Sequence, residues 1–441
     1  MPRGLRKFKF SFVAEGLTRY GGLLLFHQFC KSLGLRRYLQ SHVDWPGYAY
    51  RSFHPADLFL AHLYAIVAGV GRVEDTRALL ANGILPSILG IERFPHRDTL
   101  RSFLQRFDRE RLNQLKTIHD QIRKIFMGRL GLVYSATIDA DTTAIVSYGR
   151  PEEAAFGYIP KRRHHQLSYA PIISCEGCIG LSLGFDLRPG NVHSSTDAAA
   201  FLLAQIRKLP STIASSRTRV RLDGGFYSKE IVTAIEGQSV GFVIVARMTP
   251  PLKACMCNAP YHEFAKGWEA AEFKYEPHFW GREYRFVAVR RPVAIEPEEV
   301  QRHLFTHKKY TYHRALVTDL PLHPEGVYRF YCDRAFQELL IREIKTAFQV
   351  ARIPTRSYWA NAAYMEMALW AYDLVRVFQR LCLPEECRHW NVATLRRELW
   401  WLPAEWVCHG HRNLIRLPAR YPRKDLFEKI QSSAQRVKPL I

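Results

Sequence analysis

The chain has 441 residues, with 63 Lys+Arg against 41 Asp+Glu, a formal net charge of +22. Hydrophobic residues make up 47% and aromatics 13%, enough to build real cores, which excludes a largely disordered protein. The positive surplus is spread along the chain rather than held in a tail, and it points to a polyanionic partner, because neutralising phosphates releases condensed counterions.

No apolar run approaches the ~18 residues of a membrane span. The short segment Leu23–Phe26 behind the basic start has neither the length of a signal-peptide core nor a cleavage site, so the chain reads as cytoplasmic and free of the membrane. Residues 1–128 read as a helical N-terminal region whose basic polar surface suits DNA binding and plain solvation equally. After His54-Pro55, Leu58, Leu60, Ala61, Leu63, Tyr64 and Val67 recur at helical spacing. Asp98-Thr99-Leu100 opens another helix, with Leu100, Phe103, Leu104 and Phe107 on one stripe and Arg97, Arg101 and Arg106 off it.

The character changes at Leu132, and 129–247 reads as the first part of a core. A β-rich run holding Asp139 and Asp141 comes first, then a hairpin turning at Glu176-Gly177. A helix over Ser195–Leu209, a strand ending in Asp223-Gly224-Gly225, a helix over Tyr227–Glu236 and a buried strand (VGFVIVARM) follow. That order belongs to a mixed α/β layer with helices. Residues 248–327 read as a β-rich insertion, 328–381 as closing helices of the core, and 382–441 as a C-terminal region for DNA or dimer contacts.

The nine cysteines are odd in number and scattered, unlike a disulfide framework. Cys175-x-x-Cys178 is the only metal-like pair; Cys255-x-Cys257 or Cys408-His409-Gly410-His411 would have to complete a zinc site, and ordinary thiols are the default reading.

Three acidic positions stand out. Asp139 and Asp141 alternate along one strand and leave by the same face. Asp223 ends another strand, where two glycines let the backbone turn away and a ligand approach. The third is Glu338. At about 100° per residue, Arg334, Lys345, Tyr331 and Arg342 all fall within about 40° of it on a helix. Phe336, Leu340, Ile344 and Ala347 gather opposite. One stripe thus carries a carboxylate flanked by cations and a phenol, although a solvated face with an Arg334–Glu338 ion pair fits the stripe equally well.

The spacing Tyr331-x2-Arg334-x3-Glu338-x6-Lys345 resembles the YREK signature of a large group of bacterial insertion-sequence DDE transposases. DADTT at 139–143, RLDGGFYS at 221–228, and segments such as LRPGNVHSS and SYWANAAYMEMALWAYDL are similar to that group as well. The resemblance implies an RNase H-like catalytic domain with Asp141, Asp223 and Glu338 as catalytic and metal-binding triad. Asp139 competes for the first place; Asp141 is preferred because Thr142-Thr143 follow it. The gap of 338 − 223 = 115 residues leaves room for the family's β insertion domain.

It also implies two Mg²⁺ or Mn²⁺ ions serving an in-line phosphoryl transfer. Tyr331, Arg334, Lys345 and Arg342 would bind DNA near the cleaved end, and Trp268 or Trp280 would stack a flipped base. The partners implied are double-stranded DNA, as terminal inverted repeats and as target, and a second copy of the chain in a synaptic homodimer. A nuclease that cuts without joining and a domesticated DNA-binding protein are the rival readings. Three carboxylates brought together without metal should raise at least one pKa by repulsion.

Overall fold

The computed structural model describes residues 16–43, 45, 53–80, 86, 91, 93–159, 162–292, 310–409 and 412–440. The chain forms two compact units, one of residues 1–107 with 377–441, the other of residues 108–376. Among the described residues, no single helix is long and apolar enough to cross a membrane.

The first unit is mainly helical, with helices Leu23–Ser32, Leu35–His42, Pro55–Ala68, Arg97–Gln105 and Lys424–Gln435. Helix Pro55–Ala68 starts where the sequence signals it. His54 accepts from the Ala56 N–H, Pro55 sits in the first turn, and Gly69 ends the helix at φ 88°. Every one of its residues is buried. Arg396 closes it, donating from Nε to Val67 O (2.8 Å) and from Nη2 to Ile66 O (2.7 Å). Strands Leu17–Thr18, Ala404–His409 and Arg412–Arg416 make a small sheet.

The second unit opens with helix α1 (Arg109–Arg129) and strands β1 (Ala136–Thr142), β2 (Ile145–Val146), β3 (Ala155–Ile159), β4 (His164–Tyr169), β5 (Ile172–Glu176) and β6 (Ser182–Asp186). Helix α2 (Ala198–Ile206), β7 (Thr218–Leu222), α3 (Lys229–Glu236), β8 (Gly241–Val245) and α4 (Pro250–Asn258) follow. Then come β9 (His262–Ala265), β10 (Trp268–Tyr275), β11 (Tyr284–Pro292) and β12 (Tyr310–Thr318). Helices α5 (Pro324–Cys332), α6 (Ala335–Thr346) and α7 (Tyr358–Cys382) end the series.

Among the described residues, nine strands form one mixed sheet in the order β9-β10-β11-β12-β8-β7-β1-β5-β6. β1, β7 and β8 are parallel neighbours; the other pairings are antiparallel. The fold is mixed α/β, as the order of elements implied. The strands of the 248–327 segment extend this sheet: β12 pairs with β8, Val317 opposite Ile244. They share its core too, since Val243, Val287, Leu316, Leu320, Val327 and Tyr331 pack as one cluster.

Helix α1, which hydrophobic periodicity groups with the N-terminal helices, belongs to the second unit for an electrostatic reason. Its His119 places Nδ1 2.6 Å from Glu366 Oε1 and Nε2 3.1 Å from Asp373 Oδ2, both on α7. Arg123 Nε donates to Asp373 Oδ2 (2.9 Å), and its Nη2 donates to Ser182 Oγ (2.7 Å) on β6. All of these groups are fully buried, so each must be matched inside the fold.

Glu176 holds the hairpin turn after β5. Its carboxylate accepts from Thr137 N (3.0 Å), Cys178 N (2.8 Å) and Ile179 N (2.8 Å). Cys175 is buried while Cys178 is exposed. Among the described residues no group of three His, Cys, Asp or Glu side chains is arranged for a metal. Gly410 and His411, which a zinc site at 408–411 would need, lie outside the described residues.

Candidate active site

Asp139 and Asp141 leave β1 by the same face but meet different surroundings. Asp139 stands in register with Arg221 of β7, whose guanidinium grips both oxygens, Nε to Oδ1 at 2.8 Å and Nη2 to Oδ2 at 2.7 Å. Both side chains are almost wholly buried. Burial pushes the Asp139 carboxyl up, and Arg221 pulls against it. Gly177 covers the pair: a Cβ there would sit 2.7 Å from both Arg221 Nη2 and Asp139 Oδ2. Arg221 also donates to Phe330 O (2.7 Å) and so ties β7 to α5.

Asp141, one strand repeat on, is partly exposed, and its Oδ1 accepts from Thr142 N (2.8 Å). Asp223 follows β7 and caps the short turn Gly224–Phe226, accepting from Gly225 N (2.9 Å). A Cβ on Gly225 would come within 3.1 Å of Asp223 Oδ1 and of Ser194 Oγ, which is the close approach that the glycine allows. Glu338 projects from the first turn of α6, its side chain 67% exposed.

One cation joins all three. Arg334, only 4% exposed, places Nη2 3.5 Å from Asp141 Oδ1 and 3.7 Å from Asp223 Oδ2, and Nη1 3.5 Å from Glu338 Oε1. Nη2 also donates to Ala140 O (3.2 Å). Burial works against its charge, but Asp141 first and then Tyr331, Asp223 and Asp139 hold the guanidinium protonated. The Asp141 carboxyl is raised to about 6. Burial is the main cause, Arg334 opposes it, and Asp223 and Glu338 add repulsion. A raised carboxyl pKa was expected; desolvation, more than mutual repulsion, produces it.

As they stand the three side chains are not arranged to hold a metal, but their donors are all oxygens, the kind a hard divalent cation prefers. Arg334 is not locked as a finished structural group, because its Nε is buried without a hydrogen-bond partner.

The other residues of the stripe are spread over different environments. α5 ends at Cys332 and α6 begins at Ala335, with Asp333 and Arg334 still in helical dihedrals. Across this junction Gln337, Leu340, Ile341 and Ile344 take the buried face, while Phe336 is 36% exposed and Ala347 half-buried. Tyr331 is buried in the core cluster, with Arg314 over its ring at 5.0 Å. Arg342 is exposed. Lys345 donates from Nζ to Thr143 Oγ1 (3.0 Å) and to Ala144 O, which pins α6 to the segment following Asp141. Lys345→Met is therefore expected to lower thermal stability by about 1.5–3 kcal/mol, the worth of charged hydrogen bonds. It should leave the salt dependence of DNA binding unchanged; a slope shallower by one unit would show a phosphate contact instead.

The two tryptophans also diverge. Trp280 is 9% exposed, stacked on Tyr227 (4.9 Å between centroids) and edge-on to Tyr284 (5.1 Å). With Tyr227, Tyr275, His278, Arg247 and Thr249 it lines a cavity of about 700 Å³. Trp268, at the start of β10, packs beside His313 (4.6 Å) and Tyr328 (5.9 Å). Arg221 and Gly177 carried no signal by residue type; the pairing of TIDAD with RVRLD in register is what reveals the arginine.

The mixed sheet thus brings Asp141 and Asp223, from two neighbouring parallel strands, and Glu338, from a later helix, within 4 Å of one guanidinium. The family model of the transposase DDE domain, group 1, matches residues 2–439, and the chain belongs to that family. No curated protein matches the chain at a significant level.

Proposed function

We propose that this protein is a cut-and-paste DNA transposase of the YREK group, with an RNase H-like catalytic unit. It binds terminal inverted repeats, cleaves the transposon ends and joins them to target DNA. The observation that carries this reading is the convergence of Asp141, Asp223 and Glu338 on Arg334, in a chain of the transposase DDE family. Asp141, Asp223 and Glu338 would hold two Mg²⁺ or Mn²⁺ ions. When bound, such ions activate the attacking oxygen and stabilise the leaving one.

The chain's own residues supply the rest. The Asp139–Arg221 pair fixes the spacing of β1 and β7, and with it the spacing of Asp141 and Asp223. Arg334 neutralises the acids while the site is open, and its planar fork suits a phosphate once they turn to a cation. Arg342, exposed one turn beyond Glu338, is placed to meet a backbone phosphate. The aromatic cavity at Trp280 fits a nucleobase better than does Trp268, and a Trp280 contact would repay part of the unstacking cost. The helical unit and the +22 surplus support the binding of duplex DNA, and the joining of two ends supports a homodimer.

The test is strand transfer. With Mg²⁺ or Mn²⁺, the protein should nick DNA carrying its own terminal repeats and join pre-cut ends to a target plasmid. Nicking without joining would select a nuclease, and binding without cleavage a DNA-binding protein.

A further inference from the structure

We infer that the small sheet β2-β4-β3 is a docking surface for single-stranded DNA, the unpaired strand adjoining the cut; the inference rests on the transposase reading. Tyr148, Phe156 and Tyr158 are 89%, 68% and 54% exposed. Phe156 and Tyr158 alternate on β3 and so share a face. On that face the partner strand β4 sets Leu167 opposite Phe156 and His165 opposite Tyr158, the last two rings 5.6 Å apart. A groove of about 740 Å³ runs between Val146–Arg150, Phe156 and 164–167, with Arg356 on its wall.

Cations outnumber acids around these rings. Arg150, Arg162, Arg163 and Arg356 are all exposed. Arg162 donates to neutral acceptors, Gln166 Oε1 (2.7 Å) and Tyr148 Oη (3.2 Å), so no carboxylate cancels it there. Of the two neighbouring acids, Glu152 turns its Oε2 to the Tyr358 N–H (2.9 Å), and Glu153 is exposed.

Exposed rings interleaved with guanidinium groups match a strand whose bases stack while its phosphates are neutralised. A duplex keeps its base faces covered, and an acidic peptide offers charge but no planar faces. Location agrees. β1 carries Asp141 and leads through Thr142–Ala144 into β2, so Tyr148 lies at most roughly 24 Å along the chain from Asp141. That is a reach of a few nucleotides.

The test is fluorescence anisotropy in EDTA, with labelled single-stranded and duplex oligonucleotides of the terminal sequence. Phe156→Ala/Tyr158→Ala should weaken single-strand binding by about tenfold or more with an unchanged salt slope, since each stacked base contributes substantially. Arg162→Ala/Arg163→Ala should weaken it and make the slope shallower by about 1.4, at ~0.7 per phosphate contact. Duplex affinity should change by less than about twofold in either variant. All four side chains are exposed, so the fold is not at risk. If the aromatic variant binds single strands as tightly as wild type, the inference falls while the transposase reading stands. If wild type binds neither DNA form, both fall. If the aromatic variant loses a dimer on size-exclusion chromatography and keeps its single-strand affinity, the face joins two copies and the inference is overturned.

Discussion

Asp141→Asn, Asp223→Asn and Glu338→Gln are each expected to abolish nicking of transposon-end DNA, by about a thousandfold or more, equivalent to ~4 kcal/mol of transition-state stabilisation. End binding and folding should persist. Each amide keeps the shape of the side chain but removes one charge from the proposed set of oxygen ligands. The fold has little to lose, because Asp141 and Asp223 are partly exposed and Glu338 largely so.

Asp139→Asn should behave in the opposite way. It leaves Arg221 buried opposite a neutral amide, and breaking a buried pair from one side costs roughly 3–5 kcal/mol. Its melting temperature should drop sharply, while the fraction that stays folded at low temperature still nicks. Thermal unfolding alongside nicking normalised to folded protein distinguishes the two aspartates. A stable, inactive Asp139→Asn protein beside an active Asp141→Asn protein would reverse the assignment.

The second large effect is expected far from any chemistry. Asp373 accepts from Ser182 N (2.7 Å), Ser182 Oγ (2.6 Å) and Arg123 Nε (2.9 Å), and it faces His119 Nε2 (3.1 Å), all fully buried. Asp373→Asn removes the charge that compensates Arg123 and should cost about 3–5 kcal/mol, or on the order of 10 °C in melting temperature. Arg123→Met should be comparably damaging, since it strands Asp373.

The pH dependence has a definite sign. Glu366 is pulled from 4.5 down to about 2; burial opposes the shift, and the hydrogen bond and charge of His119, then Arg123, overcome it. A carboxylate with a depressed folded pKa contributes stability that is present above its unfolded pKa and lost as pH falls through the folded value. Unfolding of wild type in urea should therefore become easier as pH drops from about 4.5 to about 2, and Glu366→Gln should flatten that segment of the curve. A wild-type curve already flat there would contradict the charged network.

Much of this protein is legible in its one-dimensional pattern. Apolar–polar alternation marks β1 and β7, alternating or apolar runs rich in aromatics mark β10, β11 and β12, and the His54-Pro55 start marks its helix, because these depend on local backbone preference and on the next few side chains. The three acids stand out because a strand end followed by Gly-Gly, or a carboxylate one turn from an arginine, is a short-range signal. The spacing from Tyr331 to Lys345 covers 345 − 331 = 14 positions, about four helical turns, again a local relation.

What the tertiary structure alone decides are the matters of partnership. Asp139 and Asp141 are equivalent by alternation; only the register of β1 on β7 puts Arg221 against the first and leaves the second open. Lys345 and Tyr331 share the Glu338 stripe on a helical wheel, yet the fold bonds the first to Thr143 and Ala144 and packs the second in the core. α1 resembles its N-terminal neighbours in periodicity, but buried charges on residues some 250 positions away hold it to α7. The 248–327 strands look like a separate insertion by sequence position, and they extend the main sheet because β8 offers an edge that β12 completes. Local propensity is encoded residue by residue, whereas the partner of a buried charge or a strand edge is set by which distant segments pack together.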